Sequence, residues 1–278
     1  MNQPAAGAVT APGSVRIISG DARRMAGVAP RSVALVVTSP PYPMIRQWDG
    51  LFESWGATDF EQMHQQLDRV WAGCRRVLIP GGILAVNIGD ALRTISGEFR
   101  LWPNHARVVA AAETLGFRSL PYILWKKPTN KPNAFLGSGF LPPNAYVTLD
   151  CEFILLFRNG PLRRLAPGLA ARAASRYEKA ERDRWFSQVW EGIRGVPQSI
   201  GGRRSAAFPA EIPRRLIRMF SIVGDTVLDP FAGTGTTLWE AGRLGRDAIG
   251  IEIDPALLQA LDQERKRRAR VRASRRPD

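Results

Sequence analysis

The 278-residue sequence is poor in the residues that staple or metallate a fold. It has two cysteines, Cys74 and Cys151, and two histidines, His64 and His105, all widely separated. No pair stands at ligand spacing, so no metal is expected. Cys74 falls on the apolar stripe of a helix and reads as a core residue. So few thiols suit a reducing cytoplasm. Acidic residues are also in deficit: 25 Asp and Glu stand against 39 Lys and Arg, a formal charge of +14. A chain this basic favours a polyanionic partner, nucleic acid first and an acidic membrane surface second. No apolar run approaches the roughly 18–20 residues of a membrane span, so no membrane partner is expected. Residues 1–14 are rich in Ala, Pro and Gly without a basic or apolar block, which fits a flexible arm rather than a secretory signal.

What is present is ordinary for a globular protein: 45% hydrophobic and 23% charged residues, enough for one large α/β domain or two small ones. Short apolar runs at 15–18, 33–37, 83–88, 120–125, 151–157, 226–228 and 248–251 read as seven strands. Helical spacing follows the Asp59 cap and recurs at 103–115, 211–222, after 237 and after 255. The alternation predicts a doubly wound sheet. Residues 43–58 read as a loop exposing Trp48 and Trp55 beside Arg46. Residues 126–148 read as a long loop rich in Pro, Asn and Gly. Between 159 and 204 stand nine arginines and one lysine, interleaved with Trp185, Phe186 and Trp190. This stretch is expected to be an inserted module outside the main core.

Two stretches carry chemistry. Residues 32–42 read S-V-A-L-V-V-T-S-P-P-Y: a buried strand that stops in Thr38-Ser39-Pro40-Pro41-Tyr42. The prolines stiffen an extended exit and remove competing donors. Ligands of open parallel sheets sit beyond such strand ends. Residues 229–237 read D-P-F-A-G-T-G-T-T: a strand end, a glycine turn and a helix start. A phosphate-binding P-loop would need Gly-Lys-Ser/Thr, and a dinucleotide site would want Gly or Ala where Leu238 stands. S-adenosylmethionine has no phosphate to cradle. It needs a close backbone and an acid for its ribose, and Glu252 ends the next strand.

Together, these two motifs resemble those of the bacterial DNA amino-methyltransferases of the β class, cytosine-N4 type, in which the catalytic motif precedes the cofactor motif. Ser19-Gly-Asp-Ala22, Phe208-Pro-Ala-Glu-Ile-Pro213 and Leu244-Gly-Arg-Asp-Ala-Ile-Gly-Ile-Glu252 resemble further family elements. Relatives often carry His-x-Ala before Phe-Pro; here the stretch is Gly202-Arg-Arg-Ser-Ala-Ala-Phe208. The resemblance implies a Rossmann-like seven-stranded sheet in circularly permuted order, with a small Arg-rich insert. The implied division is a catalytic half at 15–158, a DNA-recognition insert at 159–207, an S-adenosylmethionine-binding half at 208–264 and a basic, frayed tail at 265–278.

The same resemblance implies the reaction: methyl transfer from S-adenosyl-L-methionine to N4 of cytosine in a specific duplex sequence, by base flipping and direct in-line transfer. Ser39, Pro40, Pro41 and Tyr42 are the expected catalytic residues, with Tyr42 offering a face on which the extruded base stacks. Asp21, Ala22, Phe208, Asp229, Phe231, Gly233, Gly235, Thr236, Glu252 and Ile253 are the expected cofactor contacts. DNA is expected on Arg46, Trp48, Lys126, Lys127, Arg163, Arg164, Arg172, Arg176, Arg182 and Arg184. Double-stranded DNA is the implied partner in a bacterial, nucleoid-associated setting. A homodimer and a companion restriction endonuclease are left open. The competing readings are an adenine-N6 enzyme of the same class, a non-catalytic DNA-binding protein on a degenerate fold, and a nicotinamide oxidoreductase.

Overall fold

Every residue of Val33–Thr38 is buried, as a strand covered on both faces and paired on both edges requires. The computed structural model describes residues 11–127, 147–195, 199–200, 203–204 and 208–273. In chain order it contains β1 (Val15–Ser19), β2 (Val33–Thr38), α1 (Asp49–Ser54), α2 (Phe60–Val77), β3 (Leu78–Ile88), β4 (Ala91–Ile95), β5 (Glu98–Trp102) and α3 (Asn104–Thr114). Next come β6 (Arg118–Lys126), β7 (Cys151–Arg158), α4 (Ala170–Ala174), α5 (Lys179–Trp185), β8 (Val189–Trp190), β9 (Ser199–Ile200) and β10 (Arg203–Arg204). The chain closes with α6 (Glu211–Phe220), β11 (Thr226–Asp229), α7 (Thr236–Arg243), β12 (Asp247–Glu252) and α8 (Pro255–Ala273).

Among the described residues the main sheet runs β1-β12-β11-β2-β3-β7-β6-β8. The block from β1 to β3 is parallel, and β7 runs antiparallel to both β3 and β6. The late strand β11 therefore lies against the early strand β2, bringing both motif ends to one edge of the sheet. Because β7 is reversed, its first residues reach that same edge. Helices cover both faces. On one side, α2 and α3 bury Leu67, Val70, Trp71, Cys74 and Val108. On the other, α6 and α7 bury Leu216, Ile217, Leu238 and Ala241. Each fully buried Leu or Val side chain is worth about 1.5–3 kcal/mol, so both stripes favour packing of the helices on the sheet.

Three expectations need correcting. The sheet has eight strands rather than seven, because β8 of the insert pairs with β6 at Leu124↔Val189 and Trp125↔Trp190. The insert is thus not outside the core: Trp185 and Trp190 are buried, and Trp125 Nε1 donates to the Ile193 carbonyl at 3.1 Å. It docks on α6 through Arg218, which bonds Glu181 at 2.9 Å and lies over the Trp185 ring. Residues 43–58 are not a plain loop, since a 3₁₀ turn at Arg46–Trp48 leads into α1. The last helix, α8, runs from Pro255 into the basic tail through Ala273. The β4–β5 hairpin, turning at Ser96 and Gly97, is an element the sequence reading passed over. Residues 1–10 of the arm, 128–146 of the long loop and 274–278 of the tail lie outside the described residues.

Candidate active site

The glycine turn after β11 starts with a buried carboxylate. Asp229 Oδ1 accepts from Thr38 Oγ1 at 2.7 Å and from the Phe231 N–H at 3.1 Å, tying the end of β11 to the end of β2. Burial pushes its carboxyl up to about 6, against the pull of those hydrogen bonds. Glu252, at the end of β12, accepts three backbone N–H groups: Gly233 at 2.8 Å, Ile253 at 2.8 Å and Asp254 at 2.9 Å. Burial still raises its carboxyl above the usual range. Gly235 caps α7 in the left-handed region, at φ 82°. A Cβ there would stand 2.6 Å from both Leu261 and Trp239. The close approach expected of Gly235 is therefore to the protein's own packing. Gly233 differs: a Cβ at this position would meet nothing nearer than 3.9 Å.

The exit from β2 is held by side chains. Ser39 Oγ lies 3.1 Å from Tyr42 Oη, and Tyr42 Oη donates to Glu152 Oε2 at 3.0 Å. Asn87, buried in β3, donates to Tyr42 Oη at 2.8 Å and to Glu152 Oε2 at 2.7 Å. Lys127 Nζ bonds Glu152 Oε1. Asn104 stiffens the neighbouring turns by donating to the Pro43 and Gly89 carbonyls, 3.0 Å each. Asn104 also meets His64 Nε2 at 3.0 Å, and burial keeps that imidazole neutral, lowering it to about 4.

Between these two constructions lies a cavity of about 420 Å³. Asp21, Ala22, Phe208, Asp229, Phe231, Gly233, Thr236, Glu252 and Ile253 line it, and so do Ser39 and Pro41. Of the expected cofactor contacts only Gly235 is not on its wall, and of the expected catalytic four Pro40 and Tyr42 are not. Trp48 and Trp55, expected on open surface, are half-buried and form part of the wall. Arg23 stacks over Trp55 while its guanidinium forks onto Asp21.

A model of the DNA methylase family N6_N4_Mtase matches residues 33–263. The chain belongs to this family. It is 55% identical over 274 residues to Type II methyltransferase M.MjaI of Methanocaldococcus jannaschii, covering 90% of each chain. It is also 46% identical over 243 residues to Type II methyltransferase M.MthZI of Methanothermobacter thermautotrophicus, covering 81% of this chain and 68% of that one. Among solved structures it resembles TTHA0409, a putative DNA modification methylase from Thermus thermophilus complexed with S-adenosyl-L-methionine. That likeness has a TM-score of 0.72 and 38% identity, over 90% of this chain and 93% of that one. The cytosine-N4-specific PvuII DNA methyltransferase shares the fold, with a TM-score of 0.62 and 20% identity over 91% and 86% of the two chains.

In this DNA methylase the residues expected to meet DNA differ in exposure and in partners. Arg46 and Arg164 are exposed, as are Arg172, Arg176, Arg182 and Arg184 on or beside α4 and α5. Arg163 is committed elsewhere, forking onto Asp225 at 2.7 and 2.8 Å. Lys127 is committed to Glu152, while Lys126 forms an exposed pair with Glu191 at 3.5 Å. The sequence reading missed Asn87 and Glu152. Their signal was a polar residue inside the buried run Ile83–Ile88 and a carboxylate opening an otherwise apolar strand.

Proposed function

We propose that this DNA methylase transfers a methyl group from S-adenosyl-L-methionine to the exocyclic N4 of cytosine in a specific double-stranded sequence, as the methyltransferase of a Type II restriction-modification pair. The observation that carries this reading is that Ser39 and Pro41 share one cavity with Asp229 and Glu252. The cavity's chemistry fits the cofactor. Phe208, Phe231 and Ile253 offer apolar surface for a flat ring, and Glu252 offers carboxylate oxygen to ribose hydroxyls. Asp229 on the cavity wall offers negative charge that would favour a cationic ligand. Open space leaves room for a ligand against the backbone: a Cβ at Gly20 would meet nothing within 4 Å, and one at Gly233 only the Phe231 carbonyl oxygen at 3.9 Å. When bound, the cofactor supplies an electrophilic methyl.

The chain's own task is to make a poor nucleophile react. An exocyclic amino nitrogen has its lone pair delocalised into the ring, so its hydrogens must be held for the nitrogen to pyramidalise. Ser39 Oγ is the acceptor on the cavity wall; the Pro40 carbonyl, off that wall but joined to the wall residue Pro41, is assigned as the second, and the flanking prolines preorganise both. The target base leaves the duplex to reach them. Tyr42 works from behind Ser39, with its hydroxyl anchored, and is not on the cavity wall. The exposed arginines of the insert, with Arg46, take phosphates; the +14 charge of the whole chain supports this assignment. Ser39 in place of an acid favours cytosine over adenine, because a compact hydroxyl suits a pocket closed around the smaller ring.

Modified DNA digested to nucleosides and analysed by mass spectrometry tests the target. N4-methylcytosine is the expected product, and N6-methyladenine would overturn the choice of atom. Methyl transfer to plasmid DNA from labelled S-adenosyl-L-methionine is expected, and its absence would overturn the enzymatic reading.

A further inference from the structure

Behind Ser39 runs a hydrogen-bond chain whose direction is set by its own members. Asn87 gives both amide hydrogens away, one to Tyr42 Oη and one to Glu152 Oε2. The single hydrogen of Tyr42 goes to Glu152 Oε2. The remaining contact, between Tyr42 Oη and Ser39 Oγ at 3.1 Å, must then be filled by the serine hydrogen. Ser39 thus turns its hydrogen away from the cavity and its lone pairs toward it. The arrangement has a cost. Asn87 Oδ1 is buried without a partner among the described residues, so its lost hydration is not repaid. The opposite amide orientation would set that oxygen against the Glu152 carboxylate.

We propose that Glu152 is a positioning residue that receives, through Tyr42 and Ser39, the proton shed by the methylated amino nitrogen. This rests on the reading of Ser39 as an amino-hydrogen acceptor. As the N–CH3 bond forms and the donor S–CH3 bond breaks, leaving its electron pair on sulfur, the nitrogen holds one proton in excess. That proton passes to Ser39 Oγ, the serine hydrogen to Tyr42 Oη, and the tyrosine hydrogen to Glu152 Oε2. The sum is a neutral methylated base and a protonated Glu152, with serine and tyrosine ending as they began. Burial, aided by the Glu152 charge, pushes the Tyr42 phenol well above its ordinary value. Tyr42 therefore conveys a proton without resting as a phenolate. Glu152 retains 12% side-chain exposure, a route for returning the proton to water.

Glu152→Gln keeps the shape of the side chain and removes its capacity to take a proton. Single-turnover methyl transfer is expected to slow by roughly 100-fold, while S-adenosyl-L-methionine and DNA affinities stay unchanged. Tyr42→Phe cuts the same chain in the middle, so the double variant should lose no more than the slower single one. Time-resolved infrared spectra should show a protonated carboxyl during turnover that is missing from Glu152→Gln. Transfer at the wild-type rate in Glu152→Gln, or losses that multiply in the double variant, would overturn the relay. Ser39→Ala separates the relay from the reading beneath it. If that variant is slow and Glu152→Gln is fast, only the relay falls; if Ser39→Ala is itself fast, both fall.

Discussion

Two glutamates at the same edge of the sheet are held in opposite ways. Glu252 is gripped by backbone: three N–H groups from the glycine turn and from its own strand exit. Glu152 is gripped by side chains, those of Tyr42, Asn87 and Lys127. Backbone donors cannot rotate away or exchange roles, so Glu252 presents a fixed acceptor, which suits binding. Hydroxyl, amide and ammonium groups can reorient, and the hydroxyl can pass a proton, which suits chemistry. The cavity has a rigid binding end and an adaptable reacting end, joined where Thr38 bonds Asp229.

The comparison breaks most visibly at the rigid end. Glu252→Ala strips the acceptor from three N–H groups and should weaken S-adenosyl-L-methionine binding by about 1–3 kcal/mol, roughly a 5- to 150-fold effect in calorimetric titration. The two glycines of the turn sharpen the point. Gly235→Ala drives a Cβ into Leu261 and Trp239 and should lower the melting temperature more than Gly233→Ala does. Gly233→Ala, beside open space though also at a left-handed φ of 54°, should cost less stability and act more on cofactor affinity.

A smaller effect follows from Asp229. Its carboxyl is raised to about 6, so below that pH the empty site is mostly protonated, and a cationic ligand must drive the proton off. Affinity should therefore climb with pH, by at most about tenfold per unit below 6, and level off above it. Asp229→Asn should flatten that climb in titrations between pH 5 and 8. Neutralising Arg164, Arg172, Arg176, Arg182 and Arg184 leaves the cavity alone and should reduce the log–log salt slope of DNA binding by about 1 for each phosphate that is no longer neutralised. The smallest effect is expected at Lys126→Ala: the pair with Glu191 is exposed and worth about 0–1 kcal/mol, so thermal unfolding should barely move.

Most of the rigid end was legible in the sequence, because strand, glycine turn, helix and second-strand acid are local patterns. The adaptable end was only half legible. Ser39-Pro40-Pro41-Tyr42 stood out, yet its partners Asn87 and Glu152 lie far along the chain, and only the antiparallel pairing of β3 and β7 brings them together. The hairpin was signalled by Ser96-Gly97 between two short runs, a two-residue turn of the kind that matches strand twist. The eighth strand has two residues, too few for any periodicity to register. Trp48 and Trp55 were misplaced because a loop reading puts aromatics at the surface, whereas α1 folds them against the cavity.

The division between a binding end and a reacting end is tested most directly by Ser39→Ala, with cofactor binding, DNA binding and single-turnover transfer measured on the same preparation. Both affinities are expected to stay unchanged and most turnover to be lost, since the serine bond matters chiefly as the nitrogen pyramidalises. Wild-type transfer in that variant, or lost cofactor binding with it, would contradict the division between a binding end and a reacting end.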